Sequence, residues 1–285
     1  AIALGYVSHA YAGVWRDSKS LWTRAVQLDG RSYTALNNLG VVLQEEGQLT
    51  EAAKLFRRAY EAFPEYPPLR NNLGHIAAIH GRLDAAIEHY AAYLQFRPLD
   101  SRTRLRLATV LARRGWVADA IEQIRLVEPP APSSTLYAIL SGRLVALGHD
   151  DVAIQVTRTG LAERPNDLIP LNNLAWFLAT SWDPACRNGT EAVATARKLF
   201  DVADRQHVQR AQFYTTLAAA LAEAGQFAEA LPAIDQAITV ARSSGQNRLV
   251  ADYEQFRDEF RRQQPHHEPK PPPSPWLAVP LDGMP

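Results

Sequence analysis

The sequence is short of the residues on which most enzyme and cofactor chemistries depend. One cysteine, Cys186, stands among 285 residues, which excludes an internal disulfide framework and a cysteine-based zinc site. Charge is balanced, 30 lysines and arginines against 30 aspartates and glutamates. No basic surplus therefore draws the chain to nucleic acid or to anionic lipid. There is no glycine-rich phosphate loop, no H-E-x-x-H, and no serine–histidine–acid arrangement in a recognisable context. The sequence thus carries no catalytic constellation, metal site or cofactor site. Residues 1–15, AIALGYVSHAYAGVW, have no charged side chain, yet they are shorter than the roughly 20 residues that span a bilayer. They read equally as the last turns of a membrane helix that begins upstream and as a truncated amphipathic helix. A chain that opens on Ala1 without methionine reads as a fragment or a processed product.

What is present is apolar surface in a repeating order. Hydrophobic residues make up 47% of the chain, enough to fold rather than stay disordered. Gly40 recurs as Gly74, and Gly47, Gly81 and Gly115 keep the same step of 34 residues. Ala52, Ala86 and Ala120 share that step, as do Pro64, Pro98 and Pro132; the next unit is one residue short, with Gly148, Ala153 and Pro165. Each unit reads as two helices. Leu36, Leu39 and Leu43 fall at helical spacing in the first, which Gly47 ends because glycine accepts the left-handed cap conformation. Ala52, Leu55, Phe56 and Ala59 share one face of the second, and Pro64 stops it. Gly40 and Ala52 let the two helices approach where larger side chains would overpack.

The register divides the chain into residues 1–16, a membrane or juxtamembrane helix end; 17–263, the repeat array; and 264–285, a proline-rich tail expected to be extended or disordered. Within the array lie a half repeat at 17–30, full repeats near 33–66, 67–100, 101–133, 134–167, 168–210 and 211–244, and a capping helix at 245–263. Some positions depart from the pattern. Tyr93 and Val127 stand where Ala59 and Ala237 stand, and Thr157 and Gly160 replace a large and a small residue, so local irregularity is expected there. The turn at Thr180–Thr190 is about five residues longer than its counterparts.

This period and this order of small, aromatic and proline positions resemble the tetratricopeptide repeat over roughly residues 17–242. The resemblance implies an all-α solenoid of helical hairpins wound into a right-handed superhelix, used to bind proteins. A narrower resemblance rests on Trp15-Arg16-Asp17-Ser18 and Leu21-Trp22. They are similar to the junction at which bacterial multipass membrane proteins of the O-mannosyltransferase-like kind enter a C-terminal repeat domain. LNNLAWFLATSWDPACRNGTEAVATARKL likewise resembles a terminal unit of bacterial repeat proteins. These imply a membrane-linked parent, glycosyltransferase-like in its other half, with the repeats extracytoplasmic (periplasmic). The alternative is a free-standing cytoplasmic adaptor or assembly factor.

Candidate contact residues follow from helix geometry. The first helix of each hairpin packs inward through residues such as Leu36, Leu39, Gly40 and Leu43. The side about 150° round offers Thr34, Asn37, Val41 and Gln44, then Asn71 and His75, then Arg102 and Thr109, then Asn172 and Trp176. Asparagine both donates and accepts, which suits an extended peptide backbone. The predicted partner is therefore a protein or peptide held in this groove; membrane contact would come through the segment upstream of residue 16, and the oligomeric state stays open. His75, His80 and His89 are expected at the surface, Cys186 as an inert loop thiol, and Asn188-Gly189 as a plain turn. His266-His267 is expected to be solvated, and the P-x-x-P spacings of Pro269–Pro275 to act as a spacer.

Overall fold

The computed structural model describes residues 17–127, 134–208 and 210–272. Residues 1–16 and Pro132, on which some of the readings above fall, lie outside the described residues. The chain divides into two compact units, one ending at Arg114 and one covering Gly115–Pro272. Among the described residues there are fourteen α-helices, one short 3-10 helix and no strand.

The first unit holds α1 (Ser18–Leu28), α2 (Tyr33–Glu45), α3 (Leu49–Ala62), α4 (Pro67–Ile79), α5 (Leu83–Phe96) and α6 (Ser101–Arg113). Side chains start several of them. Asp17, Ser32 and Asp100 each accept a bond from a backbone N–H of the first turn, at 2.7, 3.5 and 2.9 Å, which satisfies a donor the helix leaves open. Gly47, at φ 78°, ends α2, and Gln48 N–H reaches back across it to the Leu43 carbonyl at 2.8 Å. A side chain at Gly47 would be strained in that conformation.

Helices α2 and α3 pair, α4 and α5 pair, and each hairpin stacks on the next. Their core includes Leu36, Leu39, Phe56, Leu69 and Leu73, with Trp22 and Val26 of α1 packed against it. Burying a side chain such as Phe56 contributes about 1.5–3 kcal/mol. The close approach is visible in atoms: a Cβ added to Gly40 would meet the Phe56 ring at 2.7 Å, and one added to Gly74 would meet the Tyr90 ring at 2.8 Å. Ala86 is fully buried at this contact, whereas Ala91 is only partly buried. Ala86→Leu is therefore expected to lower the urea midpoint more than Ala91→Leu, by an overpacking cost of about 1–3 kcal/mol. Equal midpoints for the two variants would show the repeat phase to be misread.

The second unit holds α7 (Val117–Arg125), α8 (Ser134–Ala146), α9 (Asp150–Glu163), α10 (Leu168–Thr180), α11 (Gly189–Arg205), α12 (Ala211–Glu223), α13 (Phe227–Ser243) and α14 (Asn247–Arg261). Pairs α8–α9, α10–α11 and α12–α13 are hairpins, and α14 packs on α13. The irregular positions have a physical account. In α8–α9 the usual order is reversed: Tyr137 lies on the first helix and Gly160 on the second, where an added Cβ would sit 2.9 Å from the Tyr137 ring. The tyrosine hydroxyl then donates to Glu163 at 2.8 Å, and Glu163 also pairs with Arg125 of α7 at 2.6 Å. Helix α7 has only 9 residues and stops before Val127. Pro232 lies within α13, where it removes one backbone donor. The long turn after α10 winds into a 3-10 helix at Pro184–Cys186.

Two expectations are corrected here. Asn188-Gly189 is not a plain turn: the Asn188 side-chain oxygen Oδ1 accepts from Glu191 N–H at 3.1 Å and caps α11. A Cβ on Gly189 would lie 2.6 Å from the backbone nitrogen of Ala224, so the glycine serves helix approach. The tail through residue 272 lies against the second unit, with His266 partly covered, while His267, Pro269 and Lys270 remain exposed as expected.

Candidate functional site

The face made by the first helices was the sequence candidate for binding. In the first unit these are α2, α4 and α6. Asparagines tie them together. Asn72 donates its amide to the Asn37 carbonyl oxygen at 2.8 Å, and Asn37 donates to Asn38 at 3.3 Å. Asn37 is 3% exposed, so its amide joins helices rather than facing a partner. The sequence reading missed this because the donor arrives from the following repeat. Asn71 accepts from the Thr103 hydroxyl at 3.1 Å and from the Arg106 guanidinium at 3.2 Å. Its carbonyl oxygen is thereby engaged, while its NH₂ makes neither bond. Thr109 is buried, its hydroxyl donating to the Leu105 carbonyl at 2.7 Å; it offers nothing outward.

His75 is partly buried on α4. Burial, and then the charge of Arg106, lower its pKa to about 4, so the imidazole is neutral at pH 7. Arg102 is exposed on the first turn of α6. Arg113 donates to the Ala78 carbonyl of α4 at 2.7 Å. Helix α6, SRTRLRLATVLAR, carries four arginines and no carboxylate of its own; Asp100, its N-cap, lies close enough to Arg106 for the two charges to interact. Arg106 and Arg113 went unnamed in the sequence analysis. The signal for them was the absence of acidic residues over one whole first helix.

The remaining histidines differ from expectation. His89 is 3% exposed, with Arg70 3.3 Å from its Nδ1. His80 has a buried Nε2, and burial, then the Arg82 charge, lower its pKa. Of the two, only His89 is drawn inside; His80, at the end of α4, is partly buried. The Cys186 thiol pKa is raised by burial, then by Asp183, Asp150 and Asp151, which keeps the sulfur protonated and unreactive. Among the described residues no group of three or more His, Cys, Asp or Glu side chains could hold a metal ion. No helix of the described residues is long and apolar enough to cross a membrane.

In the second unit the first helices are α8, α10, α12 and α14. Asn172 of α10 accepts from the Thr216 hydroxyl of α12 at 2.9 Å. Trp176 and Phe256 lie 6.2 Å apart by ring centroid, with Tyr253 6.4 Å from Phe256. With Asn173, Gln212 and Asp252 they line a cleft of about 290 Å³. Thus Asn71 and His75 share one cluster with Arg106, and Asn172 and Trp176 share another; Arg102 stands at the exposed start of α6.

Stacked helical hairpins with a polar and aromatic first-helix face define a repeat scaffold. Residues 7–67 and 71–135, less than half of the chain, match the family model described as tetratricopeptide repeat. Proteins of this kind generally mediate protein–protein interaction. No curated protein matches the sequence. Among solved structures, the chain is similar to a tetratricopeptide repeat protein from Parabacteroides merdae, at 16% identity and TM-score 0.44, covering 89% of this chain and 97% of that one. It is also similar to MamA, at 18% identity and TM-score 0.36, covering 65% and 96%. YrrB, described as a tetratricopeptide repeat protein with an unusual peptide-binding site, shares 15% identity at TM-score 0.34, covering 77% and 91%.

Proposed function

We propose that the first-helix face of the first unit binds an extended, acidic partner peptide. One observation carries this reading: Arg106 is held by Asn71 at 3.2 Å on a helix whose own residues include no carboxylate, the nearest being Asp100 at its N-cap. A guanidinium positioned in this way recognises a carboxylate by paired, charge-assisted bonds. Neutral His75 and the NH₂ of Asn71 add hydrogen-bonding groups for peptide backbone, and exposed Arg102 extends the cationic face. Asn172 and Trp176 lie in the second unit, where Trp176 stands beside His266 of the tail, and take no part in this acidic-peptide face.

An array of random peptides graded by charge tests the reading. Acidic peptides are expected to bind the intact chain, and Arg106→Ala to weaken them at least tenfold, about 1.4 kcal/mol. Arg24→Ala, an exposed change on α1, is expected to leave binding unchanged. Indifference to peptide charge would remove the proposal.

The wider context belongs to the same proposal: the chain is the repeat half of a bacterial, membrane-linked, glycosyltransferase-like protein, displayed outside the cytoplasm. The support is the junction-like Trp15–Ser18 and Leu21-Trp22 with the uncharged stretch before them. The gene upstream of Ala1 is the test. Several apolar stretches of about 20 residues are expected there; a nearby start codon would favour the cytoplasmic adaptor instead.

A further inference from the structure

The tail that leaves α14 does not run into solvent. Residues 264–272 turn back over the second unit and cross the C-terminal ends of its first helices in turn. His266 stacks on Phe256 of α14 at 4.0 Å between ring centroids, lies 6.2 Å from Trp176 of α10, and has its Nδ1 2.9 Å from the Glu259 carboxylate. His267 Nε2 is 2.7 Å from Glu223, at the end of α12. Glu268 N–H donates to the Thr180 carbonyl, at the end of α10, at 2.7 Å. The Lys270 ammonium stands 4.8 Å over the Trp182 indole. Pro271 reaches the turn after α8, 3.9 Å from where a Cβ on Gly148 would be.

This track has a definite chemistry. Four prolines, Pro265, Pro269, Pro271 and Pro272, leave the segment few backbone donors, and two backbone bonds are made to the helices, from Gln264 to Glu259 and from Glu268 to Thr180. Recognition therefore falls to side chains and to the preformed extended shape of a proline-rich strand. The side chains that meet it are aromatic or acidic: Phe256, Trp176 and Trp182, with Glu223 and Glu259. The side chains that dock are two imidazoles and an ammonium, the groups that aromatic faces and carboxylates attract, while the segment's one acidic residue, Glu268, docks through its backbone N–H. The match repeats at three successive helix ends.

The fit is also incomplete. The cleft of about 290 Å³ between Trp176, Tyr253 and Phe256, with Asp252 on its lining, shares Trp176 and Phe256 with the ring contacts of His266. His266 itself is not part of that lining. A longer planar cation at that position would stack on Phe256 and Trp176 and meet the Asp252 carboxylate.

We propose that this track is a binding site for an extended, basic, proline-containing segment of a partner protein, occupied in the resting chain by its own residues 264–272. The partner's segment competes with the tail and carries an arginine at the position His266 now fills. Attachment only a few residues after α14 gives the tail an effective concentration in the millimolar range, so a partner must bind better than the tail to replace it. The arginine-filled cleft supplies that advantage. The site lies wholly in the second unit and selects positive charge. It goes beyond the acidic-peptide reading of the first unit and does not depend on it.

The test uses the intact chain, a chain ending at Gln264, and two fluorescent peptides: residues 264–272 and the same peptide carrying H266R. Both peptides are expected to bind the shortened chain saturably, H266R at least tenfold more tightly, and both to bind the intact chain at least tenfold more weakly. Phe256→Ala in the shortened chain is expected to abolish binding, while Arg106→Ala leaves it unchanged, which separates this site from the acidic-peptide face. Should the shortened chain lose its helical circular dichroism, the intact chain carrying H266A and K270E replaces it, the tail then being loosened in place; the same affinities are expected. A folded shortened chain that binds neither peptide overturns the proposal, and so does equal binding by intact and shortened chains. Concentration-dependent dimers of the intact chain that the peptides dissociate would assign the track to a second copy's tail and overturn the partner assignment.

Discussion

Gly189→Ala is expected to lower the thermal midpoint by roughly 6–12 °C, the equivalent of about 3 kcal/mol at this size. The added methyl would lie 2.6 Å from the Ala224 nitrogen, 2.7 Å from the Glu223 carbonyl carbon and 2.8 Å from the Ala224 Cα. All three are backbone atoms at the end of α12, so no rotamer change can make room, and the start of α11 must move away from α12. At Gly40 and Gly74 the same substitution meets an aromatic ring, which can shift, and a smaller loss is expected. Gly142 is the internal control. It lies within α8 with nothing within 4 Å of an added Cβ. Gly142→Ala should therefore raise stability by about 0.5–1 kcal/mol through reduced backbone entropy of the unfolded chain. Opposite signs for one chemical change at two helical glycines are the expected result. A midpoint for Gly189→Ala within 2 °C of the parent would contradict the helix contact.

The second large effect is on acid stability. Burial, and then Arg106, hold the His75 pKa at about 4, against 6.5 when the chain is unfolded. Below pH 6.5 the unfolded chain takes up a proton that the folded chain refuses. Stability from this group is therefore complete above pH 6.5, falls as pH drops through the interval, and is gone near pH 4. A shift of that size corresponds to at most about 3 kcal/mol, and the ring's partial exposure reduces it to about 2 kcal/mol. His75→Gln keeps a neutral hydrogen-bonding side chain but cannot titrate. Between pH 7 and pH 4 the parent is expected to lose about 2 kcal/mol more than the variant in urea unfolding. Parallel profiles would mean that solvent reaches the imidazole freely.

The two results draw on different layers of the molecule. His75 was legible as a first-helix residue from its distance to Gly74 and Leu73, because a helix converts sequence spacing into direction. Its altered proton affinity was not, since Arg106 comes from the next repeat, more than 30 residues on. The same division separates Asn71, whose carbonyl oxygen is engaged by Thr103 and Arg106, from the simple exposed amide that spacing alone suggests. It also accounts for His89, whose buried ring lies beside Arg70 of the preceding helix. Gly189 reads as half of a turn dipeptide in the sequence, and only the approach of α12 explains it.

By itself the sequence determined the helical hairpins and their stops. Those are local matters: glycines such as Gly47, Gly81 and Gly225 adopt positive φ at helix ends, and small residues in phase with Gly40 and Ala52 permit close pairing. Tertiary structure decided which polar side chains are engaged and what the tail does. Tyr137 and Gly160 exchange the usual large and small roles between paired helices, which preserves the packing although each position alone looks out of register. Residues 264–272 carry no helical or strand periodicity, so nothing in their order shows where they lie. Their place depends on Phe256, Trp176, Trp182, Glu223 and Glu259 being brought together from separate repeats. An extended segment has no internal hydrogen bonds to record its conformation; only the surface that receives it can.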